Sequence, residues 1–182
     1  VRTVEMEPYQ TEKIDRPLLS EEIISGRVIK TKKGKYGSTV WMLENGIRVV
    51  VLPTTDTPYQ IVMSGQASGG LSMIPTEDYY SVSMLAQVVS ASGVGDFTAE
   101  QLRKVLGSKV VNIQPTINRF STDINGSAAK GDVETMLQLT YLYFTRPNFD
   151  RGRLDMIIEA NRINLENSVN SPDFVMTQMV NK

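Results

Sequence analysis

Histidine and cysteine are both missing from the 182 residues. Zinc sites are built from thiolate, imidazole and, less often, carboxylate, so a zinc ion here would have carboxylates alone. That donor set suits Mg²⁺ or Ca²⁺ better. The same absence removes Ser-His and Cys-His nucleophilic catalysis, since no imidazole can take the proton near neutral pH. Disulfides cannot form, a state that fits any compartment. No apolar run approaches the roughly 18 residues of a membrane-spanning helix, and the N-terminus lacks a signal-peptide pattern. Because the chain starts at Val1 rather than methionine, the sequence leaves room for an upstream targeting segment. A charge surplus is lacking too. The net charge of −1 creates no whole-molecule field toward nucleic acid, an anionic membrane or acidic substrates. Gly93-x-Gly95 is a bend without the rest of a phosphate-loop fingerprint. Open to chemistry are only a carboxylate pair, a Ser-Lys pair or hard-metal coordination.

What is present is the composition of a soluble globular domain, 41% apolar and 21% charged. Residues 1–38 read as a connector. Val1 to Ser25 hold six acids against three bases, and Gly26 to Ser38 hold five bases (Arg27, Lys30, Lys32, Lys33, Lys35) and no acid. Apolar periodicity is weak there, so the stretch is expected to lie on the surface of the domain. The basic run lacks interleaved aromatics apart from Tyr36 and sits beside an acidic stretch, which favours a solvated linker over a nucleic-acid patch.

Regular structure is expected from residue 39 to about 170. Thr39–Leu43 and Ile47–Leu52 flank Glu44-Asn45-Gly46 and predict a hairpin with a type I′ turn, and Gln60–Ser68 predicts a third strand. A helix is predicted from about Glu77 to Ser92, with Thr76 as N-cap and Gly93 at its end. Thr98 with Gln101 forms a capping box, and Phe97 with Leu102 a hydrophobic staple, at the start of a shorter helix that Gly107 stops. Two antiparallel strands follow, on Val111–Ile117 and Phe120–Ile124, with Pro115 pushing the first toward an edge or a bulge. Asp132 is expected to cap a helix over Val133–Thr145, and Asp150 another that carries Leu154, Ile157, Ile158 and Leu165 on one stripe. Residues 171–182, opening on Ser171-Pro172, predict the start of a further, truncated helix. The order of elements indicates α+β architecture, an antiparallel sheet with helices packed on one face.

The string Leu43-Glu-Asn45-Gly46-Ile-Arg48-Val-Val-Val, a third strand and its Gly69-Gly70 close resemble the opening of pitrilysin/insulinase-like (inverzincin) zinc metallopeptidases. Later elements keep that family's order, including Phe144-Thr145-Arg146-Pro147 and Phe149-Asp150. The lead-in around Gly26-Arg-Val-Ile is similar to the connector before the second half of the long bacterial members. Active members carry His-x-x-Glu-His on the first helix, two ligands and a general base, with a further Glu on the later long helix. The matching stretch here is Ser83-Met84-Leu85-Ala86-Gln87, so Ser83 and Gln87 stand where the ligands would be and Ala86 where the base would be. Glu159 and Glu166 keep a spacing similar to that of the family's paired glutamates; Glu166 reads as a solvated or structural acid, with a weak divalent-ion contact as the alternative.

The resemblance therefore implies a domain from the metal-free half of a zinc metalloendopeptidase. This chain would be no enzyme by itself, with no metal or cofactor of its own and zinc in the catalytic half of the parent. Its implied partners are the other domains of the same peptidase and the peptide substrate, with no nucleic acid and no membrane span. Its role would be to wall the substrate chamber and help bind peptide. The alternative is an assembly module that joins subunits and touches no substrate. The long bacterial relatives suggest the periplasm or cell envelope, with the cytoplasm left open.

Other features carry ordinary readings. Ser127-Ala-Ala-Lys130 matches a serine acylating motif but lacks its companions. Asn125-Gly-Ser127 fits a glycosylation acceptor, but the same string is an ordinary strand-to-loop exit, which is the reading favoured here. Asp155 and Glu159 read as a solvated helix face, and Trp41 as a packing anchor. The helix bearing Tyr141, Tyr143 and Phe144 is apolar nearly all round, so it is expected to be either buried or pressed against a neighbouring domain, with the second slightly favoured.

Overall fold

The computed structural model describes residues 14, 16–20, 26–169, 171, 172, 174 and 176. Strand β1, Val28–Lys33, pairs antiparallel with β2, Thr39–Leu43, and β2 with β3, Arg48–Val51. Regular structure thus begins before Thr39, inside the segment whose sequence reads as a connector. The reason is physical. All six β1 side chains are exposed, so the strand is defined by backbone pairing and leaves no alternation of apolar residues to detect.

The hairpin stands, but its turn differs from the expectation. The Leu43 carbonyl accepts from the Gly46 N–H at 3.0 Å, and the Asn45 side chain accepts from the Ile47 N–H at 3.1 Å. Among the described residues Tyr36 is the only non-glycine with positive φ, so Asn45 does not take the left-handed role that a type I′ turn requires. Gly46, at φ 85°, carries that role alone.

A second sheet has the order β4-β8-β7, from Gln60–Ser68, Ser121–Ala129 and Val111–Ile117, all antiparallel. Pro115 lies on β7, an edge strand, as its missing N–H demands. Along β8 the pleat alternates: Ile124, Gly126 and Ala128 are buried, whereas Asn125 is exposed. Helices α1, Tyr79–Ser92, and α3, Val133–Thr145, cover the buried face; α1 packs on β7, and α3 on β7 and β8. The fit is close, because a Cβ on Gly126 would come within 2.7 Å of Ile113 Cδ1 and 3.2 Å of Met136 Sδ. The α+β class with antiparallel pairing is therefore the architecture observed, with the strands divided between two three-stranded sheets rather than one.

Between α1 and the next helix the chain forms a miniature ladder of β5, Gly93–Val94, and β6, Phe97–Thr98. Helix α2, Ala99–Val105, starts with both halves of the capping box in place, Thr98 accepting from the Gln101 N–H and Gln101 from the Thr98 N–H. Phe97 and Leu102 are both buried and share a cluster with Val94, Leu139 and Leu142. Burying a side chain of this size contributes roughly 1.5–3 kcal/mol, so this cluster anchors α2 and α3 together. Ile14, Leu18 and Leu19 pack against the same cluster, so part of the N-terminal segment joins the core.

Two expected caps behave differently. Thr76–Asp78 forms a 3₁₀ turn and α1 starts only at Tyr79, without a side-chain cap. Asp132 does not cap α3; its carboxylate accepts from the Val110 N–H at 2.9 Å and pairs with Lys109 at 3.2 Å. The Val110 hydrogen bond, with help from Lys109, holds its pKa below the ordinary 3.8. Asp150 does cap the last long helix, α4, Arg151–Val169, by accepting from the Arg153 N–H at 3.2 Å. Beyond it, the Ser171 hydroxyl accepts from the Phe174 N–H, and Pro172, Phe174 and Met176 are helical. The remainder of the expected fifth helix lies outside the described residues, as does most of the expected acidic part of the connector.

Candidate functional site on the first helix

Ser83, Ala86 and Gln87 lie in the middle of α1, with Ser83 and Gln87 exposed and Ala86 half-buried. Positions 83 and 87 are one turn apart and share a face, the geometry that two imidazoles would need to meet one ion. The chemistry of the residues present does not meet it. The Ser83 hydroxyl donates to the Tyr80 carbonyl at 2.7 Å, Ala86 offers no titratable group, and Gln87 offers a neutral amide. No imidazole or thiolate exists anywhere in the chain to make up the set. Zinc therefore does not fit these residues, and no chemical step is assigned to them.

Helix α4 runs against α1. Its Asn161 side chain donates to Met84 Sδ at 3.7 Å, next to Ser83. The two helices are thus brought together as a metal site split between them would require, while the contact is made by an amide and a thioether. Glu159 pairs with Arg162 at 2.9 Å, and both Glu159 and Glu166 are exposed. Among the described residues no three acids gather around a common point. The Asn161–Met84 contact could not be foreseen, because nothing in the spacing of either helix sets how they cross.

The remaining candidates fall apart from one another. Ser127 sits within β8 opposite Val62 and Asn112, and Lys130 begins the 3₁₀ turn after the strand. Asn125 lies in the middle of β8, not at a strand exit, and its side-chain oxygen accepts from the Ser64 hydroxyl at 3.0 Å. Asp155 is exposed on α4. Trp41 is 36% exposed, between Thr31 and Val49 in the first sheet.

Two surfaces look outward. Among the described residues strand β4 pairs with β8 along one side only, which leaves a nine-residue edge with Ile61 and Val62 exposed. Leu137, Tyr141 and Phe144 are exposed on α3, and the α4 stripe has no buried residue, with Ile158 and Leu165 among its exposed members. The family Glu and the apolar stripe expected on α4 are therefore present in sequence but not enclosed among the described residues.

Comparison with known proteins places this arrangement. No family model matches the chain. It is 26% identical over 118 residues to a zinc protease PQQL-like protein of Arabidopsis thaliana, across 64% of this chain and 12% of that protein. It is also 26% identical over 97 residues to the probable zinc protease PqqL of Haemophilus influenzae, across 53% of this chain and 10% of that one. Its homologues are pitrilysin/insulinase-like zinc proteases of the PqqL type.

The fold agrees. The periplasmic protease PqqL of Escherichia coli superposes with a TM-score of 0.81 at 16% identity, across 97% of this chain and 20% of that structure. A point mutant of the ferredoxin protease FusC, solved in complex with Arabidopsis ferredoxin, superposes at 0.75 with 17% identity, across 98% of this chain and 20% of that one. The chain thus spans about a tenth of the length of the curated PqqL relatives in sequence alignment, and a fifth of these structures. No helix among the described residues is long and apolar enough to cross a membrane.

Proposed function

We propose that this chain is a non-catalytic domain of a PqqL-like zinc metallopeptidase, one that walls the substrate chamber and helps hold peptide for cleavage by the metal-bearing half. The observation that carries the reading is on α1, the helix that holds the stretch resembling the inverzincin motif: Ser83 and Gln87 stand where its ligands would be and Ala86 where its base would be. Zinc belongs to the catalytic half of the parent, and the periplasm or cell envelope is the compartment that the E. coli relative suggests. Residues 39–170, extended at the N-terminal side by β1, form the domain body, with residues before β1 as a connector that packs onto it at Ile14, Leu18 and Leu19.

Peptide would be held at the open edge of β4. A strand added there satisfies backbone groups that β8 does not reach, and needs no catalytic side chain. A photocrosslinking residue in place of Val62, 71% exposed on β4, tests this directly. Incubated with an unstructured peptide, the chain should become labelled at that edge. Absence of label would favour the second reading, an assembly module that contacts only other domains of the peptidase. The exposed apolar residues of α3 and α4 speak for that module, since patches of this kind mark protein contacts.

A further inference from the structure

The end of α1, the length of α2 and the first turn of α4 line an open cleft of about 280 Å³. Ala91, Leu102 and Leu106 supply an apolar floor, and Ser90, Arg103 and Arg153 supply the polar groups around it. The volume lies just under the usual range for ligand pockets, so the cleft suits one amino-acid residue rather than a long ligand.

Among the described residues its charge is unbalanced by one. Arg153 is half-buried and pairs with Glu100 at 3.1 Å. Arg103, three residues along α2 from Glu100, has no ion-pair partner among the described residues. The hydroxyl of Ser90, one of the lining residues, gives its proton to the Ala86 carbonyl at 2.8 Å, so its oxygen is left with acceptor capacity only. Fork-shaped donors, an acceptor and an apolar floor therefore meet in one small space. A guanidinium binds a carboxylate in two-pronged fashion, a hydroxyl oxygen accepts from an amide N–H, and the floor takes an aliphatic side chain. A peptide's last residue offers all three groups.

We propose that this cleft binds the C-terminal residue of a peptide, its carboxylate on Arg103, its amide N–H toward Ser90 and an aliphatic side chain over Leu102 and Leu106. Position on α1 supports the assignment. Ser83, Gln87 and Ser90 stand at i, i+4 and i+7, one continuous helical face, so the cleft lies about 10 Å along α1 from Ser83. For peptide as the ligand this rests on the reading given under Proposed function, but its test is separate, because labelling at β4 and occupancy at Arg103 are read independently.

The test is an amide-resolved NMR titration of the whole chain with N-acetyl-leucine, N-acetyl-leucinamide and N-acetyl-aspartamide. N-acetyl-leucine should move the Ala91, Leu102 and Arg103 amides saturably. N-acetyl-leucinamide, which keeps one carbonyl acceptor but loses the charge and the second prong, should bind at least about tenfold more weakly. Arg103→Gln should weaken N-acetyl-leucine by a similar factor, with the rest of the spectrum unchanged because the side chain is exposed. No saturable shift, equal binding of leucinamide, or undiminished binding by the Arg103→Gln variant would overturn the proposal. Tighter binding of N-acetyl-aspartamide would overturn the C-terminal assignment in favour of an acidic side chain.

Discussion

The guanidinium of Arg16 lies 4.2 Å from the centroid of the Phe97 ring. The same group donates to the Asp96 carbonyl and approaches Gln101 Oε1 at 3.4 Å, so one N-terminal side chain clasps the turn that starts α2. A cation over an aromatic face contributes about 0.5–1 kcal/mol at an exposed site, and a charged donor to a carbonyl adds a comparable amount. Arg16→Ala should lower the unfolding free energy by about 1–2 kcal/mol, read from the midpoint of a urea titration. Arg16→Lys should recover part of the loss, since the ammonium keeps the charge but not the planar stack. If both variants match the parent chain, the Arg16 clasp contributes nothing to the stability of the domain.

Gly93 ends α1 at φ 97° and begins the β5 ladder. A Cβ there would fall inside the van der Waals surface of the Phe97 carbonyl and 2.7 Å from the Ala99 N–H. The left-handed backbone and the clash act in the same direction, so Gly93→Ala should cost at least about 2 kcal/mol. The loss should appear as a lower Tm with helical signal retained below the transition. A neutral result would mean that the α1–α2 junction is looser than its hydrogen bonds imply.

Asp132 makes stability depend on pH in a defined direction. Its pKa is held down first by the Val110 N–H and then by Lys109, so the folded state favours the carboxylate more than the unfolded chain does. The carboxylate's contribution is therefore complete above the ordinary value of 3.8 and disappears as pH falls through the lower folded value. Asp132→Asn should be less stable than the parent near neutral pH, and the difference should shrink below about pH 3.8. A difference that is constant with pH would remove the ionised group from the explanation.

How much was visible beforehand follows from where the information sits. Local chemistry reads well: the Thr98–Gln101 capping box, the Asp150 cap, Pro115 on an edge strand and the Gly93 helix end are each contained within a few residues. The signals fail where an element is defined by something distant. Strand β1 has no buried side chain, so only its pairing with β2 reveals it. Asp132 lies beside a helix start in sequence, but Val110 and Lys109, brought close by the β7–β8 hairpin, take its carboxylate instead.

The candidate site divides in the same way. The replacement of both ligands and the base at Ser83, Ala86 and Gln87 is legible from residue types alone. The cleft under Arg103 is not, because three helices from separate stretches of chain must converge before Arg103 and Arg153 share a space with Ser90. Splitting of the strands between two sheets was also hidden, since β3 and β4 are consecutive in sequence and neighbours in neither sheet.

Metal content measured together with peptidase activity goes most directly to the central claim. The purified 182-residue chain, dialysed against Zn²⁺ and then against metal-free buffer, would be assayed for bound zinc and for cleavage of an unstructured peptide. The account predicts zinc at the level of the buffer blank and no turnover that follows the chain through purification. One zinc retained per chain, with cleavage that co-purifies and is lost to a chelator, would contradict it.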